Sequence, residues 1–244
     1  MFDRVPSLYD FITDQAWRDI HGEIGYLTLN SIVQSLSLDF QVVIFIMAIL
    51  SLGFLFLSFK TYTKFYIIAF LIYFVRYLLL RDMGQIRQAL ASSLILFSFK
   101  YVVDRKPISF LVIVLIASSF HTIALIAIPF YIIYHMNFSE RFMLTVLILS
   151  FVIGYFEMTS FLINNFSDFI YYRIVRYAQR ESTGYVVGLF DPVIWFSIFS
   201  LILMIYFKDV LSRRINYYRL LKTSLWLAIV LRISLNDVAI LAGD

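Results

Sequence analysis

Apolar residues run along most of this chain in long stretches that are separated by short polar or basic turns. A helix of about 20 apolar residues is long enough to cross the hydrocarbon core of a bilayer. Six stretches therefore predict membrane-spanning helices, at residues 40–59, 65–80, 85–103, 141–160, 191–207 and 223–241.

A further apolar stretch, residues 108–134, does not fit a single span. As one helix it would be about 40 Å long, which a bilayer accommodates only with strong tilt. Polar residues lie at its middle, around His121, and Pro129 follows. We therefore predict two short segments, 108–120 and 122–135, that meet at His121 in a hairpin.

The positions of the basic residues support this division. With it, the basic turns fall on one side of the membrane, which the positive-inside rule assigns to the cytoplasm. Without it, the strongly basic loop 208–222 would fall on the outer side. The cytoplasmic side then holds every lysine of the chain, at positions 60, 64, 100, 106, 208 and 222.

These segments predict an all-α fold, a polytopic transmembrane helix bundle of about eight membrane segments, some of them short or re-entrant. No internal repeat or flexible linker divides the chain, so we expect a single domain over residues 1–244. Its larger outer pieces are an N-terminal segment, 1–39, and a loop, 161–190.

Composition excludes several classes of protein. The chain is 61% hydrophobic and 15% charged, with a mean hydropathy of +0.86, whereas soluble domains are nearer half apolar and a quarter charged. The net charge of +4 is spread between apolar runs, so no basic domain for nucleic acid is present. Cysteine is absent, and we expect neither a metal nor another cofactor.

Arginines on the predicted outer side are the main candidates for chemistry. Arg87 and Gln88 lie in the first turn of the predicted helix 85–103, and Arg81 precedes it. A helix N-terminus offers free N–H groups and partial positive charge, and guanidinium groups bind phosphate oxygens in pairs. This pattern predicts a diphosphate site. The alternative is that Arg81 pairs with Asp82 and that Arg87 extends to the lipid headgroups.

The loop 161–190 carries a second group of arginines, spaced as on one helical face and accompanied by tyrosines. They would bind phosphate or acidic sugar, or, in the alternative interpretation, rest on anionic headgroups as an amphipathic helix. These residues are Arg173, Arg176 and Arg180.

Three further residues are candidates. His121 is either a general base or a packing residue at the hairpin tip, and Glu23 is the competing base. Arg232 lies inside the last span, where an unpaired charge is costly, so it is a substrate-binding or ion-pair candidate.

Two of these motifs resemble the EpsG-like branch of the O-antigen and exopolysaccharide polymerases, the Wzy type. They are Arg81-Asp82-Met83-Gly84-Gln85-Ile86-Arg87-Gln88-Ala89-Leu90-Ala91 and, about 30 residues on, Phe120-His121-Thr122-Ile123-Ala124-Leu125. Glu23-Ile24-Gly25-Tyr26 looks like the family's Glu–x–Gly–aromatic element. The likeness covers about residues 20–135, and family members usually extend further at both ends, so we expect a shortened chain.

The resemblance implies a glycosyltransferase in the bacterial inner membrane. Its substrate would be an undecaprenyl-diphosphate-linked oligosaccharide, polymerised at the outer leaflet, with a chain-length regulator protein as a further partner. Arg81 and Arg87 would hold the diphosphate, whereas the role of His121 stays open. A flippase or transporter for lipid-linked oligosaccharide, and a ligase or O-acetyltransferase acting on the same polysaccharide, are the alternatives.

Overall fold

A computed structural model describes Val5, Phe11, Leu189 and residues 22–75, 84–158 and 191–235. These residues are predominantly helical, and no strand occurs among them, which confirms the all-α prediction. The main helices, in chain order, are α1 (Ile24–Ser35), α2 (Phe40–Tyr62), α3 (Tyr66–Tyr73), α4 (Ile86–Val103), α5 (Pro107–Phe120), α6 (Ile128–His135), α7 (Glu140–Tyr155), α8 (Pro192–Tyr206), α9 (Lys208–Arg214) and α10 (Tyr218–Ser234), with a 3₁₀ helix, Thr122–Ala127, before α6.

Among the described residues, two helices are long and apolar enough to cross a membrane. They are α2, with 23 residues, and α4, with 18; at 1.5 Å per residue these measure about 35 and 27 Å. A third candidate is the pair α8 and α9, whose axes differ by 85°. Large apolar side chains face outward on these helices, Phe45 and Phe196 among them. The helices are therefore suited to a lipid surround, while the total of about eight segments stays a prediction.

The chain divides into two compact units, Met1–Met136 and Asn137–Asp244. In the first, α2, α4 and α5 pack around a core that includes Val43, Met47 and Leu94. In the second, α10 packs against α7 and α8, and the buried Trp226 indole donates to the Met143 carbonyl at 2.8 Å. The prediction of a single domain is not tested by this division.

The apolar stretch 108–134 is broken where the sequence predicts. Helix α5 ends at Phe120, His121 is extended, and the 3₁₀ helix begins at Thr122. The rings of Phe110 and Tyr131, near the two far ends, lie 5.5 Å apart. The two arms therefore run antiparallel, and the predicted hairpin is confirmed.

Helix α1 is a part of the fold for which the sequence analysis assigned no element. It lies inside the outer segment 1–39 and buries Tyr26, Leu27 and Val33. Its buried face also contains Asn30 and Ser31. Because polar residues share that face, the apolar periodicity that identifies an amphipathic helix is weak here.

The last helix begins earlier than predicted. Helix α10 starts at Tyr218 rather than at residue 223, because its first turns are polar, with Arg219 and Lys222, and fall outside an apolar window. The remaining predicted spans correspond to α3, α7 and α8, and residues 76–80, 159–160 and 236–241 of the predicted segments lie outside the described part of the chain.

Candidate functional site

Three helices of the first unit bring their ends together at one place. Glu23 precedes α1, Arg87 lies in the first turn of α4, and His121 follows the last residue of α5. A Cβ atom on Gly25 would lie 2.8 Å from the Ser119 carbonyl oxygen. The start of α1 is thus in close backbone contact with the end of α5, and only glycine fits without displacement.

Arg87 is held by two groups from α1 and its N-terminal flank. Its guanidinium donates to the Glu23 carboxylate at 2.5 Å, and it lies over the Tyr26 ring, 5.2 Å from the ring centre. The Arg87 side chain is nevertheless 38% exposed. It therefore retains donors that can bind a second anion.

Glu23 occupies the N-cap position of α1 but does not cap it. Its side chain makes no cap hydrogen bond and reaches Arg87 instead. An N-cap side chain normally accepts a bond from the second or third helical N–H group. The Glu23 side chain thus links α1 to α4 instead of capping the N-terminus of α1.

Within the described part of the chain, no side-chain cap closes the N-terminus of α4. Gln85, its N-cap residue, makes no side-chain cap bond, and Gln88 is half-buried. The N–H groups of the first turn and the Arg87 guanidinium therefore lie together, as the predicted anion site requires. Arg81, the other member of the predicted diphosphate site, lies outside the described residues.

His121 caps the 3₁₀ helix. Its Nδ1 atom accepts a hydrogen bond from the Ile123 N–H group at 3.3 Å. An Nδ1 atom that accepts carries no proton, so the neutral ring has its proton on Nε2. In this arrangement Nε2–H can donate a hydrogen bond. It cannot act as the general base that the sequence analysis considered for His121, because a base must accept a proton.

The charges of Glu23 and Arg87 both act on His121. Burial lowers the pKa of His121 below its ordinary value, the Glu23 charge raises it, and the Arg87 charge lowers it. The first of these is the largest, so the neutral imidazole is favoured at neutral pH. The structure thus groups Glu23, Arg87 and His121, three of the residues singled out in the sequence.

Arg232 belongs to a different site, in the second unit. Its Nη2 atom lies 3.2 Å from the Asp191 carboxylate, which also accepts from the Val193 N–H group at 2.6 Å and so caps α8. Arg232 Nε is buried and has no partner among the described residues. The structure thus contains an ion pair for Arg232, which was one of the two alternatives. Substrate binding by Arg232 stays a prediction.

The sequence analysis named Gly25 and Tyr26 only as part of the Glu–x–Gly–aromatic element, without a structural role, and assigned no role to Ser119 or Asp191. Gly25 allows the close backbone contact with Ser119, and the Tyr26 ring lies against the Arg87 guanidinium. Asp191 caps the N-terminus of α8. Asp191 carried a local signal of its own, since Asp followed by Pro192 is a typical helix start. Arg173, Arg176 and Arg180 of the outer loop lie outside the described residues.

The fold and this charged cluster define a helical membrane protein with a polar site at one end of its first unit. The model of the EpsG family matches residues 1–243, and the chain belongs to that family. Membership indicates a role in polysaccharide biosynthesis. No curated protein and no solved structure was matched.

Proposed function

We propose that this chain is a polysaccharide polymerase, a glycosyltransferase that joins undecaprenyl-diphosphate-linked repeat units at the outer face of the inner membrane. The observation that carries the proposal is the position of Arg87 in the first turn of a helix whose N-cap side chain makes no cap bond, beside Glu23 and His121. Membership in the EpsG family supports the substrate class.

In the proposed reaction, a hydroxyl oxygen of the acceptor repeat attacks the anomeric carbon of the donor chain. The bond from that carbon to the diphosphate oxygen breaks, and undecaprenyl diphosphate leaves with the bonding electrons. Arg87 and the N–H groups of α4 stabilise the negative charge of the leaving group. The hydroxyl proton passes to Glu23, the one carboxylate of the cluster.

Glu23 and a substrate phosphate compete for Arg87 in this scheme. A diphosphate at Arg87 draws the guanidinium away from Glu23 and leaves that carboxylate able to accept a proton. His121 contributes through Nε2–H, which donates to a substrate oxygen, because its Nδ1 atom is engaged by Ile123. Gln88, one residue further along α4, adds an amide donor.

The remaining predicted residues extend the proposal beyond the described cluster. We propose that Arg81, Arg173, Arg176 and Arg180 bind the anionic groups of donor and acceptor on the outer side. A chain-length regulator protein is the proposed partner that limits the polymer. These assignments follow from the sequence pattern and the resemblance together.

The proposal is tested by complementation of a polymerase-deficient strain, read as the surface polysaccharide ladder on a gel. The chain should restore the ladder, and Arg87→Lys should reduce it to single repeats, because lysine keeps the charge but loses the paired donors. Arg141→Lys, at an exposed position of α7, is the control and should keep the ladder. A full ladder with Arg87→Lys would refute the diphosphate role.

The same gel separates the alternative functions. A flippase defect removes surface repeats altogether, and a ligase defect leaves polymer that is not attached to its final carrier. Single attached repeats identify a polymerase defect.

A further inference from the structure

The short helix α9 is set almost at right angles to the apolar helix before it. The axes of α8 and α9 differ by 85°. If α8 follows the membrane normal, α9 lies along the membrane surface. Exposed apolar side chains surround the bend, with Tyr206 at 78% and Phe207 at 47% exposed, and their rings lie 4.8 Å apart.

One carboxylate fixes the start of α9. Glu140, at the start of α7, accepts from Lys208 Nζ at 3.2 Å and lies 3.7 Å from Lys222 Nζ. Both lysines are therefore occupied within the protein. These two ion pairs hold the bend in place and partly neutralise the charges of the two lysines.

The other end of α9 carries two arginines that are not occupied in this way. Arg213 and Arg214 lie in its last turn and are exposed. Within the described part of the chain, neither guanidinium has an ion-pair partner. Their position also complements the helix dipole, but that effect does not account for the exposed aromatic rings at the opposite end of α9.

We propose that α9 is an interfacial helix that binds the phosphodiester headgroups of anionic phospholipids through Arg213 and Arg214. Tyr206, Phe207 and Val210 would rest at the edge of the hydrocarbon, where aromatic residues are favoured. A lipid fits better than an acidic protein because exposed apolar side chains at the bend and at Val210 are combined with exposed cationic side chains at the end of the same short helix. By the positive-inside rule this surface faces the cytoplasmic leaflet.

The test is lipid retention by the purified full chain, measured by native mass spectrometry. The detergent-solubilised protein is offered phosphatidylglycerol and phosphatidylcholine in equal amounts. Each arginine near a membrane surface contributes enough to change affinity by roughly fivefold, so Arg213→Gln with Arg214→Gln should lower phosphatidylglycerol retention by roughly 25-fold. Phosphatidylcholine retention should not change.

The matched control is Arg105→Gln with Lys106→Gln, which removes two exposed charges from the same predicted side. Retention by this control should equal that of the unmodified protein. High salt should abolish the preference for phosphatidylglycerol, because it shortens the screening distance to about 3 Å at 1 M. An equal loss in both double variants, or no loss in either, would overturn the proposal, as would displacement of the bound lipid by undecaprenyl phosphate alone.

Discussion

Glu23 and Arg87 are 64 positions apart in the chain, and their side chains meet at 2.5 Å across the starts of α1 and α4. The pair joins a carboxylate and a guanidinium at a place where three helix ends converge. Because the Arg87 side chain is also 38% exposed, a substrate anion can approach the same guanidinium. The pair therefore links two helices, and it is also a site at which a substrate anion can replace Glu23 as the partner of Arg87.

This competition predicts different effects for two substitutions on binding of undecaprenyl diphosphate to the purified protein. Arg87→Gln should weaken binding by about tenfold to a hundredfold, since hydrogen bonds to charged groups contribute about 1.5–3 kcal/mol. Glu23→Gln should leave binding unchanged or tighter, because it removes the competing carboxylate. If both variants weaken binding equally, the pair is structural and the diphosphate lies elsewhere.

His121 can be separated into a capping role and a chemical role. His121→Asn should keep the cap, because an asparagine oxygen can accept from the Ile123 N–H group, while His121→Ala should lose about 1 kcal/mol of stability. Both should lose the polysaccharide ladder if Nε2–H acts on substrate. A full ladder with His121→Asn would leave only the packing role that the sequence analysis kept open.

The pH dependence of stability gives a check on the same residue. Burial lowers the pKa of His121, which lies outside both neighbouring helices. Its neutral form is therefore favoured in the folded protein, so its contribution is present above the ordinary pKa of about 6.5 and declines as pH falls below it. Thermal unfolding of His121→Asn should depend less on pH in that acidic range than that of the unmodified protein.

Gly25 tests the close packing of α1 on α5. Gly25→Ala places a Cβ 2.8 Å from the Ser119 carbonyl oxygen, which should cost about 1–3 kcal/mol through forced displacement. Gly53→Ala is the control, because a Cβ there has no atom within 4 Å, and it should be neutral or stabilising by up to about 1 kcal/mol. The midpoint of thermal unfolding in detergent compares the two, and equal midpoints would contradict the contact.

Asp191 and Arg232 should be energetically coupled. Asp191→Asn and Arg232→Gln each leave a partly buried partner without its ion pair, so each should destabilise the chain. The double variant should lose less than the sum of the two, with a coupling of about 0.5–3 kcal/mol. Additive losses in unfolding would mean that the pair contributes nothing and would return Arg232 to the substrate-binding candidates.

The sequence could predict features that depend on nearby residues or on the distribution of basic turns along the chain. The break at His121 followed from polar residues in the middle of an apolar stretch and from the sidedness of the basic turns, and the structure has it at that residue. Glu23 and Arg87 were each identified as candidates, but their pairing was not, because nothing local connects residues so distant in the chain. Helix α1 was missed because the face it buries includes Asn30 and Ser31.

The antiparallel hairpin of α5 and α6 has a consequence for the rest of the protein. Whether its arms cross the bilayer or turn back within it, the chain leaves on the side where it entered. Residues 107–135 thus contribute an even number of crossings, and their gain or loss would not invert any segment that follows.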